Sequence, residues 1–142
     1  MEQAQGCSKV IASAEEFVRL RFSDDPEEYG RAGSESASLE VWKEVVERYP
    51  EARFWVAYNK TVPLEILRIL ANDPDPRVRS MVAAKRKLTP EILAQLAADT
   101  DDSVRLSVAR HKKTSRSVLG ELLSDEWSEV REMARDRLRD ST

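Results

Sequence analysis

The chain has 142 residues, of which 41% are hydrophobic and 35% charged, with a net charge of −3. That is about one domain's length, too apolar for a disordered chain and more charged than an average globular domain. An aromatic content of 6% and four glycines argue against a strand-rich fold, and one cysteine (Cys7) with one histidine (His111) leaves no disulfide framework and no cysteine- or histidine-based metal site within the chain.

The charge is unevenly spread. Residues 1–52 carry 6 basic and 12 acidic side chains, residues 53–113 carry 12 and 7, and residues 114–142 carry 5 and 7. A basic middle lies between acidic ends, though less basic than a dedicated nucleic-acid binder. Residues 1–12 lack a basic start followed by a long apolar run, so they read as a disordered tail and not a secretory leader. No stretch approaches the roughly 18 apolar residues of a membrane span. The expectation is a soluble cytoplasmic protein with no membrane partner.

Residues 13–38 read as an N-terminal helical cap. "SAEEFVRLRF" is a short helix with Phe17 and Leu20 on its core face. "SDDPEEYGRA" looks like an Asp-capped helix begun by proline, and "GSESAS" like a flexible connection.

Residues 39–138 repeat. The units 63–87, 89–113 and 115–138 align at a period of 26, which links Leu67, Leu93 and Leu119, then Asp73, Asp99 and Asp125, then Val78, Val104 and Val130, then Arg79, Arg105 and Arg131. Residues 39–60 form an earlier unit with one residue fewer in its turn. A period of this size signals stacked supersecondary units. Each unit holds two helices. Thr89 and Pro90 open one first helix as cap and first position, and Pro74 and Pro76 stop another. The second helix is predicted from Pro76 to about Arg86, with Val78, Met81 and Val82 as its core stripe. Helices of about three turns are marginal alone in water, so stability must come from stacking.

The recurring pattern P-x-x-[IL]-L-x-x-L-A-x-D-x-D-x-x-V-R-x-x-V-A resembles the leucine-rich repeat variant family and is similar to short HEAT-like repeats. The resemblance covers residues 39–138 and is closest in the two central units. It implies an all-α fold, a right-handed αα superhelix (solenoid) of about four two-helix repeats. The founding variant-repeat protein is associated with an N-terminal iron–sulfur module, which a lone Cys7 does not provide for; no cofactor is expected.

Within the second helices, Arg53, Ala57 and Lys60 are spaced i, i+4, i+7, as are Arg79, Ala83 and Arg86, and Arg105, Ala109 and Lys112. Such triplets fall on one helical flank, with the alanine leaving room for another chain. Arg79, Arg105 and Arg131 each follow an aspartate (Asp73, Asp99, Asp125) by six residues, which predicts a turn-to-helix ladder between adjacent repeats. Lys60, Lys85, Arg86, Lys87, His111, Lys112 and Lys113 fall at one edge of the stack, where cations also complement helix C-termini. Such a ridge suits an acidic protein partner or a phosphate backbone. Against nucleic acid, the ridge is short and no aromatic residues interleave with it. Trp55, in "RFWVAY", is a candidate anchor beside Lys60. No nucleophile–base–orienter set is visible. The expected function is therefore a non-catalytic scaffold for protein–protein interaction, with a nucleic-acid-binding module as the alternative.

Overall fold

Helix caps written into the sequence decide where the helices begin. The computed structural model describes residues 10–140, and among them the regular structure is ten α-helices, one 3-10 turn and two strands of two residues. The fold is all-α. Ser13 caps α1 (Ala14–Arg21), Asp25 caps α2 (Pro26–Ser34) and Ser38 caps α3 (Leu39–Arg48), each side chain accepting a backbone N–H of the first turn. A 3-10 turn, Pro50–Ala52, leads into α4 (Arg53–Tyr58), followed by α5 (Leu64–Leu70). Asp75 caps α6 (Pro76–Ala83), Thr89 caps α7 (Pro90–Leu96), Asp101 caps α8 (Asp102–Arg110) and Ser115 caps α9 (Arg116–Leu122). The last helix is α10 (Ser128–Asp140).

The chain divides into two compact units, residues 1–67 and 68–142, with the division inside α5. This differs from the boundary expected at residue 38. In the first unit α1 packs on both α2 and α3, so residues 13–38 share one core with the chain that follows. Phe17, Leu20, Trp42, Val45 and Val56 are fully buried there. Phe17 meets Trp42 edge to face, centroids 5.2 Å apart, a geometry that adds about 0.5–1.5 kcal/mol to the burial itself.

Two stretches expected to be irregular are ordered. β1 (Val10–Ile11) pairs in parallel with β2 (Ser36–Ala37), Val10 opposite Ser36 and Ile11 opposite Ala37. Ile11 is fully buried, and that burial pins residues 10–12, which read as tail, beside the "GSESAS" segment, which read as flexible. Residues 1–9 of the expected tail, with Cys7, lie outside the described residues.

In the second unit α6 packs on α8 and α8 on α10, with α7 against α6 and α8, and α9 against α10. The buried residues follow the repeat: Ile92, Leu93 and Leu96 on α7, Val104 and Val108 on α8, Val118, Leu119 and Leu122 on α9, Val130 on α10. Each such side chain contributes roughly 1.5–3 kcal/mol of burial.

Three expectations are corrected here. Met81 is only half-buried, and Ala83 joins Val78 and Val82 in the core instead. Ala83 and Ala109 do not leave room for a partner: both are fully buried, and Ser80 and Ser107 bring their hydroxyls to 3.3 Å between α6 and α8. Small side chains let those helices approach closely, so the space is filled within the fold. Finally, α6 ends at Ala83, not Arg86. Lys85 N–H bonds to the Val82 carbonyl and Leu88 N–H to that of Lys85, and the buried Leu88 holds the turn down. Lys60, Arg86 and Lys112 therefore stand on turns beyond α4, α6 and α8, not along a helical flank.

Candidate functional site

Two sets of side-chain bonds recur with the period of the repeat, one at each end of the second helices. The first set is at the starts of α6, α8 and α10. Each turn aspartate accepts the N–H two residues on: Asp73 from Asp75 at 3.0 Å, Asp99 from Asp101 at 2.9 Å, Asp125 from Trp127 at 2.9 Å. The side-chain acceptor makes this an Asx turn. Arg79 then donates Nη1–H to the carbonyl of Asp73 in its own turn, at 2.7 Å, and Nε–H and Nη2–H to the carboxylate of Asp99 in the next, at 2.7 and 3.0 Å. Arg105 does the same with the Asp99 carbonyl (2.8 Å) and the Asp125 carboxylate (2.7 and 3.1 Å). Arg131 bonds to the carbonyls of Asp125 and Glu126.

The expected ladder is thus present, with a definite wiring: own-turn carbonyl, next-turn carboxylate. Arg79 and Asp99 side chains are 14% and 7% exposed, Arg105 and Asp125 10% and 6%. Burial alone would push both aspartates up, but the arginine and the turn N–H together hold Asp99 and Asp125 below the usual carboxylate range. Arg105 is pushed up, first by its bonds to Asp125. Bidentate, charge-assisted pairs with satisfied remaining lone pairs are the geometry in which a buried ion pair holds.

The second set lies at the other ends of the helices, where the repeat pattern alone predicts no bonding. In the first unit, Asn59 donates Nδ2–H to the carbonyls of Ala32 (2.8 Å) and Glu35 (3.0 Å) and accepts Thr61 N–H on Oδ1 at 2.7 Å. In the second, His111 bonds through Nε2 to the Lys85 carbonyl, 26 residues upstream, at 2.7 Å, and accepts Lys113 N–H on Nδ1 at 3.0 Å. Because Nδ1 accepts, Nε2 carries the proton it gives. Arg137, 26 residues further, donates to the carbonyls of Ala109 and His111 at 2.9 and 2.8 Å. Residues 59, 85, 111 and 137 are Asn, Lys, His and Arg. All four side chains can donate, and that shared property at a fixed period was the available signal; identity-based alignment conceals it.

His111 is consequently not a free ridge residue. It is 8% exposed and ties one basic turn to the next. The bond brings Lys85–Lys87 and Arg110–Lys113 together. Between them opens a cleft of about 360 Å³ lined by Ala84, Arg86, Arg110, His111, Lys112 and Lys113. Arg86, Lys87, Lys112 and Lys113 are exposed and Lys85 is half-buried. Burial first, and the neighbouring Lys87 second, lower the Lys85 ammonium below its ordinary value. Among the described residues, the side chains of Arg86, Arg110, Lys112 and Lys113 have no carboxylate partner, whereas Arg68, Arg77, Arg79, Arg105 and Arg139 of the same unit each pair with one. No acidic residue occurs in 76–90 or 103–120, so no counter-charge is available from the flanking chain. Arg110 was missed in the sequence because it ends α8 and falls outside the i, i+4, i+7 triplet.

Trp55 and Lys60 belong to the first unit. Lys60 is exposed, with its N–H bonded to the Gly33 carbonyl at 2.9 Å. Trp55 is half-buried and its ring face is covered by the Arg21 guanidinium at 3.4 Å, so it is not a bare anchor. Among the described residues no group of three or more His, Cys, Asp or Glu is placed to hold a metal ion, and no helix is long and apolar enough to cross a membrane. Comparison with protein-family models, curated proteins and solved structures finds no match to this chain.

Proposed function

We propose that the chain is a non-catalytic helical-repeat scaffold, and that the cleft between the Lys85–Lys87 and Arg110–Lys113 turns binds an acidic segment of a partner protein. The observation that carries this reading is the set of four cations around the cleft without ion pairs, in a unit whose carboxylates neutralise most of its other arginines. Unneutralised like charges held together raise local potential and favour an anionic partner. The architecture that goes with it is a right-handed αα superhelix of the variant leucine-rich or HEAT-like kind. Support comes from the neighbour-on-neighbour packing of α6, α8 and α10 and from side-chain bonds that recur with the repeat.

The test is titration of the whole chain with an oligoglutamate peptide and with single-stranded and duplex DNA of matched charge, across salt. The expected result is peptide binding that Arg86→Glu with Lys112→Glu abolishes, the circular dichroism spectrum being unchanged. Tighter binding of DNA than of the peptide, with a steep salt slope, would transfer the cleft to nucleic acid. No binding of any polyanion at low salt would remove the reading.

A further inference from the structure

A second concave site lies wholly within the first unit and owes nothing to the basic turns. It is a cleft of about 630 Å³ whose walls include Arg21, Phe22, Asp24, Tyr29, Trp55 and Tyr58. The volume is that of a small-molecule site. Four of the chain's nine aromatic residues meet there. Phe22, Tyr29 and Tyr58 are 53%, 44% and 49% exposed, an unusual concentration of accessible ring surface. Tyr58 lies against Gly33 of α2, where an added Cβ would stand at ordinary contact distance, 3.4 Å, from its ring.

At the centre is Arg21, the last residue of α1. Its guanidinium stacks on Trp55 at 3.4 Å from the ring centroid, with the Phe22 and Tyr29 rings at 5.8 and 5.9 Å. Trp55 is itself braced edge to face by Phe54 at 4.9 Å and Tyr58 at 5.7 Å. Arg19, Arg31 and Arg48 of the same unit each reach a carboxylate. Arg21 reaches none among the described residues, although Asp24 lines the same cleft, and its Nε is buried without a hydrogen-bond partner. A guanidinium immobilised on an aromatic face loses little entropy on gripping a planar anion.

The surroundings select the anion. Arg21 occupies the ring face on which an ammonium ligand would stack, which disfavours cations. Asp24 in the wall, with Asp25 and Glu27 next along the chain, disfavours a doubly charged phosphate. We propose that this cleft binds a small aromatic monocarboxylate: Arg21 holds the carboxylate and the Phe22, Tyr29 and Tyr58 rings cover the apolar body.

The probe is 3-phenylpropionate, with 3-phenylpropionamide, inorganic phosphate and a tripeptide ending in a free phenylalanine carboxylate as the other arms. The readout is the Trp55 indole N–H resonance of the full chain, assigned with Trp55→Phe. A saturable shift with 3-phenylpropionate is expected, with the amide and phosphate binding at least roughly tenfold more weakly. Arg21→Gln should weaken binding by a similar factor, and Arg21→Lys by less. Tyr29→Ala, at an exposed position, should weaken it several-fold with the helical spectrum unchanged, which separates loss of the site from loss of the fold. Equal binding of acid and amide, no effect of Arg21→Gln in a folded variant, or no shift at all would overturn the proposal. Tighter binding of the tripeptide than of 3-phenylpropionate would also overturn it, and would make the cleft a dock for a chain end.

Discussion

The two units hold themselves together by different means. The first is organised around one large aromatic contact, Phe17 on Trp42, with a two-residue parallel strand pair at its margin. The second has no aromatic residue in its core; it stacks Leu, Ile, Val and Ala and locks the stack with side-chain bonds repeated every 26 residues. A region with a few big contacts is vulnerable at single points. A region with many similar contacts is vulnerable wherever one rung leaves a buried charge behind.

The sharpest way to break this contrast is to remove one member of each kind. Trp42→Ala should destabilise the first unit by about 3–5 kcal/mol through the cavity it leaves. Hydrogen exchange resolved by residue should show the loss in α1 and α3 before α8; uniform loss from α1 to α10 would contradict this expectation. Next in size is Arg105→Ala, expected to cost about 3 kcal/mol in urea unfolding because the Asp125 carboxylate would remain buried without its partner. A cost below about 1 kcal/mol would show the ladder to be ornamental. Arg79→Ala should cost somewhat less, since Asp99 and Arg79 are slightly more exposed.

Acid should separate the units without mutation. Asp99 and Asp125 titrate below their ordinary value when folded, so the unfolded chain binds protons more tightly. Their contribution is fully present above the unfolded value of about 3.9 and is lost as pH falls through the lower folded values. Exchange protection in α8 should therefore fall more steeply than that in α3 as pH drops below about 4, and Asp99→Asn with Asp125→Asn should flatten the α8 profile. His111→Ala should cost about 1–2 kcal/mol, the typical penalty for a buried carbonyl left without its donor. Smallest of all, Arg86→Glu with Lys112→Glu should shift stability by no more than about 0.5 kcal/mol, as befits exposed turn positions.

How much of this was legible beforehand varies by element. The helix starts were, because Ser, Thr and Asp caps and first-turn prolines act locally. The arginine–aspartate ladder was also visible as a recurrence, although the sequence could not say which arginine meets which carboxylate; that depends on how successive turns stack. The end of α6 is not legible: the pattern predicts about Arg86, and the helix stops at Ala83. "AAKRK" has no glycine stop, and what ends α6 is the burial of Leu88 several residues later. His111 looked like one more cation on the edge, since its neighbours are lysines, yet its ring fills a hydrogen-bonding slot that only the folded turn creates. Arg21 was invisible for the same reason: its stacking on Trp55 joins residues 34 apart in sequence that share no periodicity.

The two sets of bonds clamp the stack at both ends of its second helices, and this constrains how such a chain could change length. Adding or deleting a single residue within a unit would throw both clamps out of step at once, whereas copying a whole 26-residue unit would reproduce every donor opposite its acceptor. Gene-level change in the second unit is therefore channelled toward gain or loss of entire modules. The exposed cations of the turns lie outside both clamps, and they can be rewritten one codon at a time without disturbing the frame that carries them.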